Sequence, residues 1–315
     1  MQYSNGSQKE SLEMYKTVSL VATALLAFSA AAEPTSLLVF AGPPSGWIKE
    51  YDLNGTFVQD LLEPREYASP QYGAIGPDGL LYVSSWTTHR VVKMDLAGNI
   101  VSEVVPNDGV VVGKTFLTIR DDELIVSGST NGAIGVYDVN TGAYRRNLVQ
   151  EGVMNGAHSV FWLDSGDMLV TDIIDNSIRR FGSDGSYLGD FSDDAILAQP
   201  AGMELSPDGT TLYVSNFTNG QINMFDLATG DHLGQLFQAG TAADDLTYGP
   251  DGMLYAASYG TNSIYRYDFD AGSAEVFIDG TKGLRGPNSV LFIPSPGVAM
   301  AIGIPGLLVV RRRRS

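Results

Sequence analysis

Residues 206–230, SPDGTTLYVSNFTNGQINMFDLATG, carry the pattern that decides the fold. The stretch opens on Pro-Asp-Gly turn chemistry, in which proline presets φ and glycine accepts a positive φ. The run TLYVSNF follows, nearly continuous in apolar residues, as suits a strand covered on both faces. After a polar loop, QINMFDL places apolar residues at every second position, the period of a half-buried strand. A second tight turn, DLATG, closes the unit. Gly and Asp interrupt the stretch too often for a helix of useful length to keep its 3.6-residue period.

Working outward, the same unit recurs. The turns DLNG, DLAG, DVNTG, GSDG, DLATG and DFDAG end at Gly55, Gly98, Gly142, Gly185, Gly230 and Gly272, with spacings of 43, 44, 43, 45 and 42 residues. A period of 40 to 50 residues belongs to propeller blades or solenoid repeats. Each turn follows an alternating strand (RVVKMDL, AIGVYDV, SIYRYDF), and each unit contains an apolar run (LLYVSSW, LIVSGST, MLVTDII, LYAASYG). An opening strand precedes that run in every unit but the first, which enters directly at TSLLVFAG. The orphan segment GPNSVLFIP, after the sixth unit, supplies the missing strand. The expectation is an all-β, six-bladed β-propeller of four-stranded antiparallel blades over residues 33–293. A C-terminal strand completes blade one, which removes exposed sheet edges.

Composition agrees with a large β core: 44% of residues are hydrophobic, 17% are charged and 36 are glycine. The chain has no cysteine, so packing and strand pairing hold it without disulfides. Its net charge is −17. Residues 1–32 and 311–315 hold six of the 19 basic and two of the 36 acidic residues, so the remainder carries −21. A surface this negative repels phosphate backbones, which excludes nucleic acid as a partner.

Both ends read as addresses. From Met14, the expected start, the chain gives Lys16, an apolar run from Val18 to Phe28, and Ala30, Ala31 and Ala32. That is the order of a secretory signal peptide over residues 1–32, cleaved after Ala32. At the other end, the 13 residues between Gly297 and Arg311 span about 20 Å as a helix, against roughly 30 Å of bilayer hydrocarbon. Such a segment makes transient membrane contact, with the four terminal arginines held on the cytoplasmic side. A Pro-Ser-Pro turn (Pro294, Ser295, Pro296), an apolar segment and an arginine cluster resemble the PEP-CTERM sorting signal of bacterial exported proteins, with Ser where that family has Glu. The resemblance implies that residues 294–315 are a sorting segment recognised by an exosortase-like membrane protease. It also implies that the protein is exported to the cell envelope, outer surface or extracellular matrix.

Over residues 35–293 the units resemble NHL, YVTN-type and SMP-30/gluconolactonase-type propellers. In such propellers the first strand of each blade lines the central channel. Aligned on that basis, Gln71, Lys114, His158, Ala201, Asp244 and Asn288 share one ring position, and Ala41, Ser85, Gly128, Asp172, Asn216 and Ser258 share a second. Two readings follow. In one, the protein is a non-enzymatic binding or scaffold module. Trp86, Phe217 and Tyr259, at matching places after the second strand, then offer stacking surfaces for a polysaccharide or an envelope protein, with Gln71 and Lys114 as further ligand-binding residues. In the other, it is a metal-dependent hydrolase, lactonase or lyase. Asp172, Asp244, Asn216 and Asn288 would then hold a divalent cation such as calcium, and His158 would act as general base. The gluconolactonase resemblance implies a metal-binding Asn before the turn of SPDG and an Asp after the next strand; Ala201 and Asn216 stand there. A streptogramin-cleaving lyase implies grouped histidine and glutamate. Of the three histidines, only His158 falls near the ring, with His89 in a loop and His232 on an outer strand.

Overall fold

The computed structural model describes residues 34–42, 46–63 and 67–294. The expected signal peptide and nearly all of the sorting segment lie outside the described residues. Six four-stranded antiparallel sheets make up the described chain. Blade two contains β4 (Pro70–Ile75), β5 (Leu81–Ser85), β6 (Arg90–Met94) and β7 (Ile100–Val105). Blade three contains β8 (Lys114–Arg120), β9 (Glu123–Gly128), β10 (Ile134–Asp138) and β11 (Tyr144–Val149). Blade four is built from β12 (Ala157–Trp162), β13 (Met168–Asp172), β14 (Ser177–Phe181) and β15 (Tyr187–Ser192). Blade five follows with β16 (Pro200–Leu205), β17 (Thr211–Asn216), β18 (Gln221–Asp226) and β19 (His232–Gln238). Blade six has β20 (Ala243–Tyr248), β21 (Leu254–Ser258), β22 (Ser263–Asp268) and β23 (Ser273–Ile278). Blade one joins both ends of the propeller: β1 (Pro34–Ala41), β2 (Trp47–Asp52) and β3 (Phe57–Leu62) are completed by β24 (Pro287–Pro294).

That closure is the one expected from the orphan segment. β24 runs antiparallel to β1, pairing Phe292 with Leu37, Leu291 with Leu38 and Val290 with Val39. The core lies between blades. From β1, Leu38 and Phe40 pack with Leu81, Val83 and Val92 of blade two, while Leu37 and Val39 pack with Tyr255, Ala257 and Ile264 of blade six. Because both faces of the second strand are covered, its sequence is a continuous apolar run rather than an alternation.

The periodic glycines have a tertiary role besides their turn geometry. Asp52, Asp95, Asp138 and Asp226 accept backbone N–H groups within their own turns, as turn formers do. At the close of one such turn, Gly142 has φ +71, and a Cβ there would lie 1.7 Å from the carbonyl oxygen of Val104 on the outer strand of the preceding blade. Gly98, Gly185 and Gly230 press on Leu61, Leu148 and Phe191 in the same way. In blades two to five the repeated glycine therefore also marks the docking of each blade on the one before it.

Candidate functional site

The residues that open each first strand converge at one mouth of the channel. Register places Lys114 opposite Gly128, as Pro70 is opposite Ser85 and Ala157 opposite Asp172. The ring position in blade three therefore belongs to Thr115, one residue beyond the lysine expected there. Lys114 is fully buried away from the ring. Its Nζ donates to the carbonyl of Val111 at 2.7 Å and lies 3.4 Å from Asp108, and burial lowers its pKa. The slip has a physical cause. In blades two, four and six the first hairpin closes through a longer turn (residues 76–80, 163–167 and 249–253), whereas β8 and β9 are joined by Asp121 and Asp122 alone, so the ring residue of blade three lies one residue closer to the end of its second strand.

A ladder of hydroxyls holds the ring. Ser84 donates to the carbonyl of Thr115, Ser127 to that of His158, Thr171 to that of Ala201 at 2.8 Å and Ser215 to that of Asp244 at 2.6 Å. Each hydroxyl sits one residue before the end of a second strand and reaches into the next blade. Blade one has Phe40 at that place, and Ser289 of the closing strand supplies the bond instead, to Gln71 at 2.6 Å. The signal was present in the repeat as a serine or threonine in YVSS, IVSG, LVTD and YVSN.

The expected second ring is structural. Asp172 accepts N–H bonds from Asn155, Gly156, Ile174 and Asp175 at 3.0–3.1 Å. Asn216 accepts from Ala198 N–H at 3.0 Å. Both side chains are fully buried and pin the loop entering their own blade. Asp172 and Asn216 are thus engaged by backbone N–H groups, whereas Asp244 and Asn288 meet each other through a hydrogen bond of 2.6 Å; among the described residues there is no group of three or more His, Cys, Asp or Glu placed to hold a metal ion. His89 does the same kind of work, accepting the N–H of Gly113 on Nδ1 at 2.9 Å, as Asn176 and Asn262 do for Gln199 and Gly286. His232 lies beside Phe225 and Asn223 on an outer strand.

What remains at the mouth is a compact polar floor. Gly42 N–H donates to Asn288 Oδ1 at 2.7 Å, which turns the amide so that Nδ2 donates to Asp244 Oδ2 at 2.6 Å. A Cβ on Gly42 would strike both Asn288 and Gln71, so only glycine lets these two approach the backbone. His158 Nε2 lies 3.3 Å from Asp244 Oδ1, without the geometry of a hydrogen bond, and leaves Oδ1 and His158 Nδ1 buried with no hydrogen-bond partner. Burial lowers the pKa of His158 against the pull of the Asp244 charge, so the imidazole is held neutral. Burial likewise raises the pKa of Asp244, with His158, Asn288 and Tyr72 opposing. Below the ring, Tyr72 stands edge-on to Phe116 and His158 with centroids 5.5 and 5.9 Å away. Deeper residues unremarked in the sequence join it: Asp245 and Glu204 are both raised chiefly by burial, Glu204 to about 7.

Above this floor stands the crown. Trp86, Ile173, Ile174, Phe217 and Tyr259 line the same cavity as Gln71, Thr115, His158, Asp244 and Asn288, with a volume of about 590 Å³. The equivalent place is Gly42 in blade one and Ser129 in blade three. Trp86 bridges that gap by donating Nε1–H to Ser129 Oγ at 3.1 Å, while 43% of its surface stays exposed. Phe217 and Tyr259 meet at 5.8 Å between centroids. Two sets of residues that the sequence treated as separate sites are therefore one pocket, apolar at its wall and polar at its base.

No family model matches the chain, and no curated protein matches it in sequence. Solved structures do. A chain of the crystal structure of a nidogen/laminin complex has a TM-score of 0.65 at 16% identity, covering 81% of this chain and 97% of its own. The WD40 β-propeller domain of Doa1 gives 0.57 at 11% identity, covering 84% and 81%. A catalytically inactive virginiamycin B lyase from Staphylococcus aureus, solved with quinupristin, gives 0.55 at 15% identity, covering 78% and 85%. At these identities the likeness is one of fold: the chain shares the β-propeller architecture with a chain of a nidogen/laminin complex, with the Doa1 domain and with a lyase.

Proposed function

We propose that this protein is an exported binding module of the cell envelope or extracellular matrix, which takes a segment of polysaccharide into the channel-mouth pocket. One observation carries the reading: aromatic and aliphatic crown residues from four blades and polar floor residues from five meet in a single cavity. Its volume falls within the range of small-molecule sites, which bury most of a ligand against apolar walls and orient it by a few polar groups. Trp86, Phe217 and Tyr259 suit the apolar faces of sugar rings, and Gln71 and Asn288 suit their hydroxyls. Export and sorting rest on the two termini, whose resemblances imply a signal peptide and a tail read by an exosortase-like protease. The test is binding of the full-length chain to a panel of envelope glycans, with Trp86→Ala and Phe217→Ala alongside. Binding that these variants leave untouched would overturn the pocket assignment.

His158 favours a second reading. A neutral, buried imidazole with an unpartnered ring nitrogen beside a carboxylate is equipped to take a proton, which a lyase or hydrolase needs. Under that reading, His158→Asn abolishes turnover of a lactone, ester or uronic-acid polymer without changing its binding.

A further inference from the structure

The pocket floor is chemically one-sided. Among the described residues lining it there is no lysine or arginine, and burial keeps its one histidine neutral. Its carboxylate, Asp244, is 2% exposed and has one oxygen taken by the Asn288 amide. The other, Oδ1, is buried without a hydrogen-bond partner. A buried polar atom in that condition costs free energy until a donor reaches it, and for a charged group the cost is greatest. An anionic ligand would face this carboxylate and the negative field of a chain carrying −17. A hydroxyl would supply a donor but leave the charge uncompensated. An ammonium supplies both, and the crown above presents aromatic faces that attract a cation.

Resting on the polysaccharide reading above, we infer that the sugar reaching the floor carries a free amino group, its ammonium donating to Asp244 Oδ1 while Trp86 and Phe217 cover the apolar faces of the ring. The site is thus selective for unacetylated hexosamine over its acetylated and hydroxyl counterparts. The acetamide fails because it is neutral and bulkier at the atom that must approach a fully enclosed carboxylate.

Three disaccharides of one size test this: the β-1,4-linked dimer of glucosamine, its diacetylated form, and cellobiose. Their binding to the full-length chain is measured by calorimetry or ligand-observed NMR. The expected result is at least tenfold tighter binding of the amino sugar than of cellobiose, with the ratio falling to near one in Asp244→Asn. A ratio near one in the unaltered chain overturns the inference. So does a preference that survives Asp244→Asn, since that is the mark of a cation held loosely by the acidic surface. If Asp244→Asn does not fold, Trp86→Ala with Phe217→Ala replaces it and must lower the ratio by removing the aromatic faces. Crown-dependent binding of cellobiose or the diacetylated dimer with no gain for the amine overturns this inference alone. Binding of no sugar overturns the polysaccharide reading with it.

Discussion

At the scale of single residues, environment rather than type decides what an aspartate or a glycine does. Asp226 caps its own turn, Asp172 ties two N–H groups of the incoming loop to two of the turn that follows it, and Asp244 keeps an oxygen without a hydrogen-bond partner at the channel mouth. Glycines divide likewise. Gly142 and Gly272 both have positive φ, but only Gly142 is pressed against a neighbouring backbone, whereas Gly272 has open space around it. Gly272→Ala should therefore cost about 1–2 kcal/mol from backbone conformation alone. Gly142→Ala should cost about 3 kcal/mol or more, because β7 must also move back; denaturant melts of the two variants check the difference. Glu204 makes a pH prediction. Its folded pKa, raised to about 7 from an ordinary 4.5 chiefly by burial, means that the fold favours the protonated acid. The stability this contributes is complete below the ordinary value and is lost as pH rises through about 7. His158, lowered below 6.5, acts in the opposite sense. Comparing Glu204→Gln with the unaltered chain isolates the first effect: the variant should melt higher at pH 8 by on the order of a few degrees, with the gap closing toward pH 4.5.

Among the elements, second strands and the closing strand organise the ring. Ser215 is fully buried, accepts the N–H of Gly202 at 2.8 Å and donates to the carbonyl of Asp244. Ser215→Ala leaves both backbone groups short of a partner and should destabilise the protein by about 1–3 kcal/mol, read as a lower denaturation midpoint at unchanged slope. β24 has the larger task, since it alone gives blade one a fourth strand and covers the inner edge of β1. A chain ending before β24 should lose its single cooperative melt and associate through the bared edge, visible as oligomers in size-exclusion chromatography. Strand order, blade number and closure were all legible in the repeat, because turn chemistry and apolar runs are local. The ring position in blade three was not. The two-residue turn at Asp121 and Asp122 shortens the blade-three hairpin relative to the others, and a lysine at 114 resembled a channel residue more than its neighbour Thr115 did.

For the molecule as a whole, the proposed location rests on the two termini and the proposed ligand on the channel mouth. Trp86→Ala should weaken glycan binding about tenfold, the size of effect a partly exposed aromatic anchor gives, while the melting temperature stays within a degree or two. Removal of residues 294–315 should leave the propeller folded but change its cellular location, scored by fractionation; an unchanged distribution would remove the sorting role. Much of the protein was decided by sequence alone. Six turns at nearly equal spacing, apolar strands covered on both faces and a displaced final strand make a closed propeller, because each feature depends only on neighbours along the chain or on an identical unit beside it. The pocket was decided by tertiary structure. His158, Asp244 and Asn288 come from blades four, six and one, and their meeting depends on strand irregularities, inter-blade hydroxyl bonds and the absence of a side chain at Gly42. Repetition specifies the frame, but the positions where one blade differs from the next acquire their chemistry only when the ring closes and burial separates the satisfied polar atoms from those left without a partner, Asp244 Oδ1 and His158 Nδ1 among them.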